Sequence, residues 1–179
     1  MCLLTLLSIS AFLANTASAA PIYATSLVAS NNVTAWGSGD VTGAADGGGL
    51  WLGSTYDPPE LLGSFTVFFE TALGNGAGAD LVVLDVVSSD VETFNVEISF
   101  DNIVYTLLGE FSATNNLIDF GSYVDPVSYV RLTNTSTRVS ADIDALWGNY
   151  AASVPEPSSI ALLGLGVAGL LLSRRRLKS

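Results

Sequence analysis

The chain contains no histidine and a single cysteine, Cys2, in 179 residues. Without histidine neither a Ser-His-Asp nor a Cys-His nucleophile system can be assembled, and a His/Cys zinc site is excluded as well. Cys2 sits in an N-terminal apolar stretch that reads as a removable leader, so the mature body is expected to hold no thiol and no disulfide. Basic residues are nearly as scarce. Four of the six lie at the C-terminus (Arg174, Arg175, Arg176, Lys178), which leaves Arg131 and Arg138 for the body. Against these, 16 of the 17 acids fall between Asp40 and Asp144. A body this acidic disfavours nucleic acid and anionic membrane surfaces and favours cations or neutral polymers. No amphipathic helical stretch of useful length occurs. The one catalytic chemistry that side-chain supply leaves open is a carboxylate pair for glycoside hydrolysis. On so acidic a surface most carboxylates are solvated, so a non-enzymatic protein is expected.

What is present is β-strand patterning. Thr93-Phe94-Asn95-Val96-Glu97-Ile98-Ser99-Phe100 alternates apolar and polar, which places Phe94, Val96, Ile98 and Phe100 on one face. Asp101-Asn102 should turn this strand into Ile103–Leu108. Further strands are expected at Tyr23–Ala29, Ser64–Phe69, Asp80–Val87, Ser128–Thr133 and Asp142–Trp147, with glycine-rich turns between them. The Gly74-Asn75-Gly76-Ala77-Gly78 run has no lysine and no following helix, so it reads as a turn and not a phosphate loop. Many short strands without helices predict an all-β fold, an antiparallel sandwich or jelly roll, over residues 20–150.

Both ends carry addresses. Leu3–Leu13 is apolar and Ala17-Ser18-Ala19 is a small-x-small cleavage site, so residues 1–19 read as a signal peptide. No basic residue precedes the apolar run, which places the true start upstream of Met1 as an alternative. At the other end, residues 151–159 form a linker holding Val154-Pro155-Glu156-Pro157, an extended strip that a processing enzyme can grip. The uncharged run Ile160–Leu172 and the stop Arg174-Arg175-Arg176 come next, within residues 160–179. Thirteen residues rise only about 20 Å as helix, short of a hydrocarbon core of about 30 Å. Flanking serines and snorkelling arginines bring the run near the minimum, which predicts a single, marginal transmembrane helix suited to temporary anchorage.

The ordered Pro-Glu-Pro, apolar and arginine elements resemble the PEP-CTERM sorting signal of Gram-negative bacteria. The resemblance implies processing by an exosortase, transient anchorage in the inner membrane, and delivery to the cell surface or the extracellular polysaccharide matrix. A second resemblance spans the body. The order of Ala45-Asp46-Gly47, Leu62–Val67, Asn75–Leu84, Val96–Asp101, Tyr129–Leu132 and Asp142–Ala145 is similar to the galactose-binding-like (discoidin-type) sandwich. It implies a carbohydrate-binding-like module. A matrix protein without specific ligand, and a carboxylate-based glycosidase, stand as the alternatives.

Candidate site residues can now be named. Asp142 and Asp144 alternate with Ile143 and Ala145, so both carboxylates are expected on one strand face. Like charges at i and i+2 repel unless a cation or positive side chain lies between them. With Asp46, which the discoidin-type resemblance brings close, they are candidate ligands of a structural calcium. Trp51, flanked by glycines, is the candidate for ligand stacking in a loop-like setting, whereas Trp147 is expected in the core. Asn32-Val33-Thr34 and Asn134-Thr135-Ser136 match the glycosylation triplet by chance.

Overall fold

The computed structural model describes residues 20–53, 63–85, 92–136 and 139–149. The leader, Val154–Pro157, the apolar run and Arg174–Arg176 lie outside these. The described residues form eleven strands and no helix. They are β1 (Ile22–Tyr23), β2 (Ser26–Asn31), β3 (Thr34–Trp36), β4 (Gly49–Trp51), β5 (Ser64–Leu73), β6 (Leu81–Asp85), β7 (Thr93–Ser99), β8 (Thr106–Ser112), β9 (Leu117–Ile118), β10 (Val127–Asn134) and β11 (Asp142–Gly148).

Every pairing is antiparallel, in two sheets. The first runs β3-β4-β11-β6-β9, with β1 also on β11, and the second runs β2-β5-β10-β7-β8. Period-2 patterning explains the layering. Phe94, Val96 and Ile98 point inward from β7, Phe65, Val67 and Phe69 from β5, and Val130 and Leu132 from β10. They meet Leu50, Leu81, Val83, Ile143 and Leu146 of the first sheet in one continuous core. Fully burying side chains of this size contributes about 1.5–3 kcal/mol each, which is what holds the two layers together.

The all-β sandwich expectation holds. Its local departures have identifiable causes. The expected strand Tyr23–Ala29 breaks at Ala24-Thr25, because its start pairs with β11 and its remainder crosses to β5. Phe100 lies beyond β7 and is exposed, although the alternation places it in the core. Ser99 ends the strand instead: its hydroxyl accepts the N–H groups of Asp101 and Asn102, and Asn102 takes a left-handed φ of 61°. The hairpin return therefore starts at Thr106 and not Ile103. On β11 the pairing with β6 jumps from Ile143–Asp85 to Ala145–Leu84, so Asp144 is one extra residue in the strand. The insertion flips the phase of the remaining strand, so Leu146 enters the core and Trp147 stays half-exposed on the other face. Asn134 is buried, which removes the second glycosylation triplet from consideration.

Gly49 lets β4 approach β11 closely. A Cβ there would lie 2.1 Å from the Ile143 carbonyl oxygen, a backbone atom that cannot swing aside. Gly49→Ala is therefore expected to destabilise by about 1–3 kcal/mol or more through overpacking, read as a lowered denaturation midpoint. A midpoint equal to the wild type would show that β4 and β11 are not pressed together as described.

Candidate binding face and the carboxylate sites

The outer face of the second sheet gathers polar and aromatic groups in three rows across the strands. Cross-strand register places Ser26, Phe68, Tyr129 and Ser99 in one row, and Ala29, Thr66, Arg131, Glu97 and Leu107 in the next. Asn31, Ser64, Thr133, Asn95 and Glu110 make the third. Such rows arise because directly opposed residues lie about 4.5–5.5 Å apart and share one face. Phe68 and Tyr129 meet at 5.1 Å between centroids, tilted by 41°. Arg131 donates from Nε and Nη2 to the two carboxylate oxygens of Glu97, at 2.7 and 2.6 Å. Its guanidinium also lies 4.0 Å from the centre of the Tyr105 ring. Tyr105 in turn hydrogen-bonds through its hydroxyl to Asn102. The fork geometry fixes the arginine, and the ion pair raises its already high pKa. Arg131 is the only cation among the described residues, and it is fully committed. Beside it a shallow concavity of about 220 Å³ is lined by Ser30, Asn31, Ser64, Thr66 and Arg131 among others.

The three aspartates expected around calcium do not converge as a set. Asp144 and the Asp46 loop do come together, 98 residues apart in sequence. Asp144 Oδ1 accepts the Asp46 N–H and Oδ2 the Gly47 N–H, both at 3.1 Å. Asp46 Oδ1 accepts the Ser38 hydroxyl and the Gly48 N–H at 2.9 Å. These carboxylate oxygens are thus occupied by N–H and O–H donors. Asp142 belongs to a different group, with Asp85 and Glu92. Among the described residues no three carboxylates are spaced to hold a metal ion. The alternation signal could not foresee this, because it treats Asp142 and Asp144 as equivalent and the bulge makes them different.

Trp51, expected in a loop, is the end of β4, paired with Thr34 on one side and Asp142 on the other. It stacks on Trp36 at 6.3 Å and 17°. The Trp36 indole N–H is buried with no acceptor. Sequence reasoning missed β3 and β4, since three-residue strands leave too little periodicity to read.

The group at this end of the sandwich is electrostatically costly. Glu92 is only 3% exposed, and its Oε2 accepts the Asp142 N–H at 3.2 Å. Both carboxylate oxygens of Asp85 are closed to solvent, and its neighbours Glu92 and Asp142 come near without full hydrogen-bond geometry. Burial first, then the charges of Glu92 and Asp142, push Asp85 up to about 8. Burial and Glu92 push Asp142 to about 6, with a hydrogen bond from Trp51 pulling the other way. A raised carboxyl pKa is what a general acid needs. Here, however, the Asp85 oxygens and the Glu92 side chain are closed to solvent and only Asp142 is half-buried, so the trio stores repulsion.

In sequence, residues 153–176 match the PEP-CTERM protein-sorting motif. That stretch contains Val154–Pro157 and Arg174–Arg176, and it marks the chain as one sorted for export. No curated protein matches the chain. Similar solved structures include carbohydrate-binding modules. A pectin-binding carbohydrate-binding module shares 14% identity over 73% of this chain and 95% of its own, with a TM-score of 0.41. The CBM32 of AlyQ, in complex with 4,5-unsaturated mannuronic acid, shares 14% over 71% of this chain and all of its own, at 0.40. A truncated AlyQ with CBM32 and alginate lyase domains shares 17% over 74% of this chain and 35% of its own, at 0.40. Likeness at this level leaves the ligand to be argued from the chain's own residues.

The carboxylates make stability depend on pH. The folded state holds protons on Asp85 and Asp142 that the unfolded chain, with carboxyls near 3.8, has lost. Their stabilisation is complete below pH ~4 and is lost as pH rises through about 6 and then about 8. Thermal midpoints should therefore fall from pH 5 to pH 8.5, and Asp85→Asn should flatten that slope and raise the midpoint at the alkaline end. An unchanged slope in the variant would place the titration elsewhere. Separately, Asp144→Ala leaves two N–H groups of the Asp46 loop without acceptors and should cost about 1–3 kcal/mol or more in chemical denaturation.

Proposed function

We propose that this is an exported, exosortase-sorted binding module without catalytic activity, whose ligand is a neutral polysaccharide lying across the outer face of the second sheet. The observation that carries the reading is the row order of that face. Aromatic side chains (Phe68, Tyr129) adjoin a fixed Arg131–Glu97 pair, and a hydroxyl- and amide-bearing row (Asn31, Ser64, Thr133, Asn95) lies beyond. A sugar ring offers C–H faces to aromatics and hydroxyls to amides and carboxylates, and this face supplies both. Neutral polymers are favoured over uronic acids because the single described cation is already neutralised and the chain carries a net charge of −11. The tail is read as a removable anchor, cut near Pro155-Glu156-Pro157 after transient residence in the inner membrane, with the body released to the cell surface or matrix.

Glycan-array binding of the body, followed by titration of Tyr129→Ala and Phe68→Ala, tests the reading. Each variant is expected to lose about tenfold in affinity, the equivalent of ~1.4 kcal/mol of aromatic contact. Binding that ignores both substitutions would move the site elsewhere, and a body that binds no glycan would be a matrix building block. Mass spectrometry of the mature protein should find a C-terminus between Val154 and Ser159; intact Lys178-Ser179 would contradict removal. Melts with calcium and with chelator test the structural calcium: a calcium-dependent rise that Asp144→Ala abolishes would put a cation at the Asp46 loop, and coincident curves would leave its hydrogen bonds as the whole brace.

A further inference from the structure

The two poles of the sandwich differ, and the difference is legible from the register. At one pole β11 ends at Gly148, where a Cβ would meet the Leu73 side chain at 2.6 Å. Leu73 pairs with Val127 at the start of β10, and Tyr129 pairs with Ser99 at the end of β7. The β7–β8 turn therefore projects from the pole at which the described chain ends. Ile22 pairs with Gly148, so the described chain begins there too. The Trp36–Trp51 stack and the Asp85–Glu92–Asp142 group lie at the opposite pole, where β11 begins.

The first pole is apolar at its tip and rigid beneath. In the β7–β8 turn Phe100 is 57% exposed, Ile103 81% and Val104 70%, and Val124 of the neighbouring loop is 89% exposed. The turn is held by Asp101 Oδ1, which accepts the Ile103 and Val104 N–H groups at 2.9 and 3.0 Å. The neighbouring loop is held by buried Asp80, whose oxygens accept the Gly76 and Phe120 N–H groups, and by the Asn75 amide, which donates to the Gly121 and Tyr123 carbonyls. Tyr123 feels the charges of both Asp125 and Asp101, so the turn and the loop are neighbours. Four large apolar side chains fixed outward on one pole of a strongly acidic protein mark a contact surface.

We propose that this pole is a bilayer-contacting rim, seated on zwitterionic lipid while the tail holds the chain at the membrane. The occupant is identified by where the described chain stops. From Asn149, at this pole, eleven residue steps lead to Ile160 at the head of the apolar run, a reach of at most ~40 Å. The rim is thus tethered within that distance of the surface that the tail enters, and the opposite pole is directed away from it. Exposed Asp101, Asp119 and Asp125 at the rim oppose anionic lipid and select a neutral headgroup surface. The inference rests on the reading of the tail as an anchor.

The test uses the leaderless chain with its tail, residues 20–179, which has no native cysteine. Ile103→Cys, Val124→Cys, Thr34→Cys at the opposite pole and Leu165→Cys in the tail are each labelled with an environment-sensitive dye in phosphatidylcholine vesicles. The rim labels are expected to shift to the blue and to lose fluorescence when doxyl-labelled lipid is included, while the Thr34→Cys label does neither. Quenching at Leu165→Cys without quenching at either rim position would overturn the rim and leave the anchor standing. Quenching at neither tail nor rim would overturn both. Rim labels that shift without doxyl quenching, in a species of doubled mass, would assign the surface to a second copy of the chain and overturn the bilayer proposal.

Discussion

Strand β11 has partners along both edges, and the sandwich depends on it. One edge is paired with β6 over most of its length, while the other is divided between β4 at the start and β1 at the end. This single strand therefore joins the N-terminal segment, the tryptophan-bearing strands and the second half of the chain. Its bulge at Asp144 breaks the alternation, which frees that carboxylate to satisfy two backbone N–H groups of the Asp46 loop. Buried backbone donors must find acceptors, and a carboxylate meets two at once. The Asp46 loop is held to the strand by these hydrogen bonds.

The acids of the body consequently divide by role. Asp144 and Asp80 are buried and accept backbone N–H groups, so each closes loops to the sandwich. Glu97 is neutralised by Arg131 on an open face. Asp85 and Asp142 have no cation beside them among the described residues, and Glu92 next to them accepts one backbone N–H. Burying carboxyls that close together without cations is tolerated only by holding protons, which ties the stability of that pole to pH. Composition alone sees a uniform acidic body; the fold makes three different environments of it.

How much was legible in the sequence depended on the length of each signal. β5, β7 and β10 announce themselves because each is at least seven residues long and presents one apolar face to the core. β3 and β4 did not, although they carry the Trp36–Trp51 stack, because three residues are no period. The candidate face was missed for another reason. Phe68, Tyr129, Arg131 and Glu97 sit on three strands that are far apart in sequence, and only register brings them together. Pairing is a non-local property, and period-2 reading fixes which way a side chain points without saying what stands beside it. The bulge at Asp144 is the sharpest case: one inserted residue sends Trp147 out of the core and separates two aspartates that the pattern joins.

The placement of the chain's exit gives these local features a common direction. Because β11 ends at the pole that carries the apolar turn, the proposed tether through residues 150–159 would pull that pole toward the membrane. The outer face of the second sheet then stands roughly along the membrane normal, since its strands run from the tethered pole to the far one. A polymer crossing the rows Phe68–Tyr129, Thr66–Arg131–Glu97 and Ser64–Thr133–Asn95 would contact several strands at once. On the proposed reading, a ligand surface set apart from the anchor would require no rearrangement of the sandwich between a tethered and a released state.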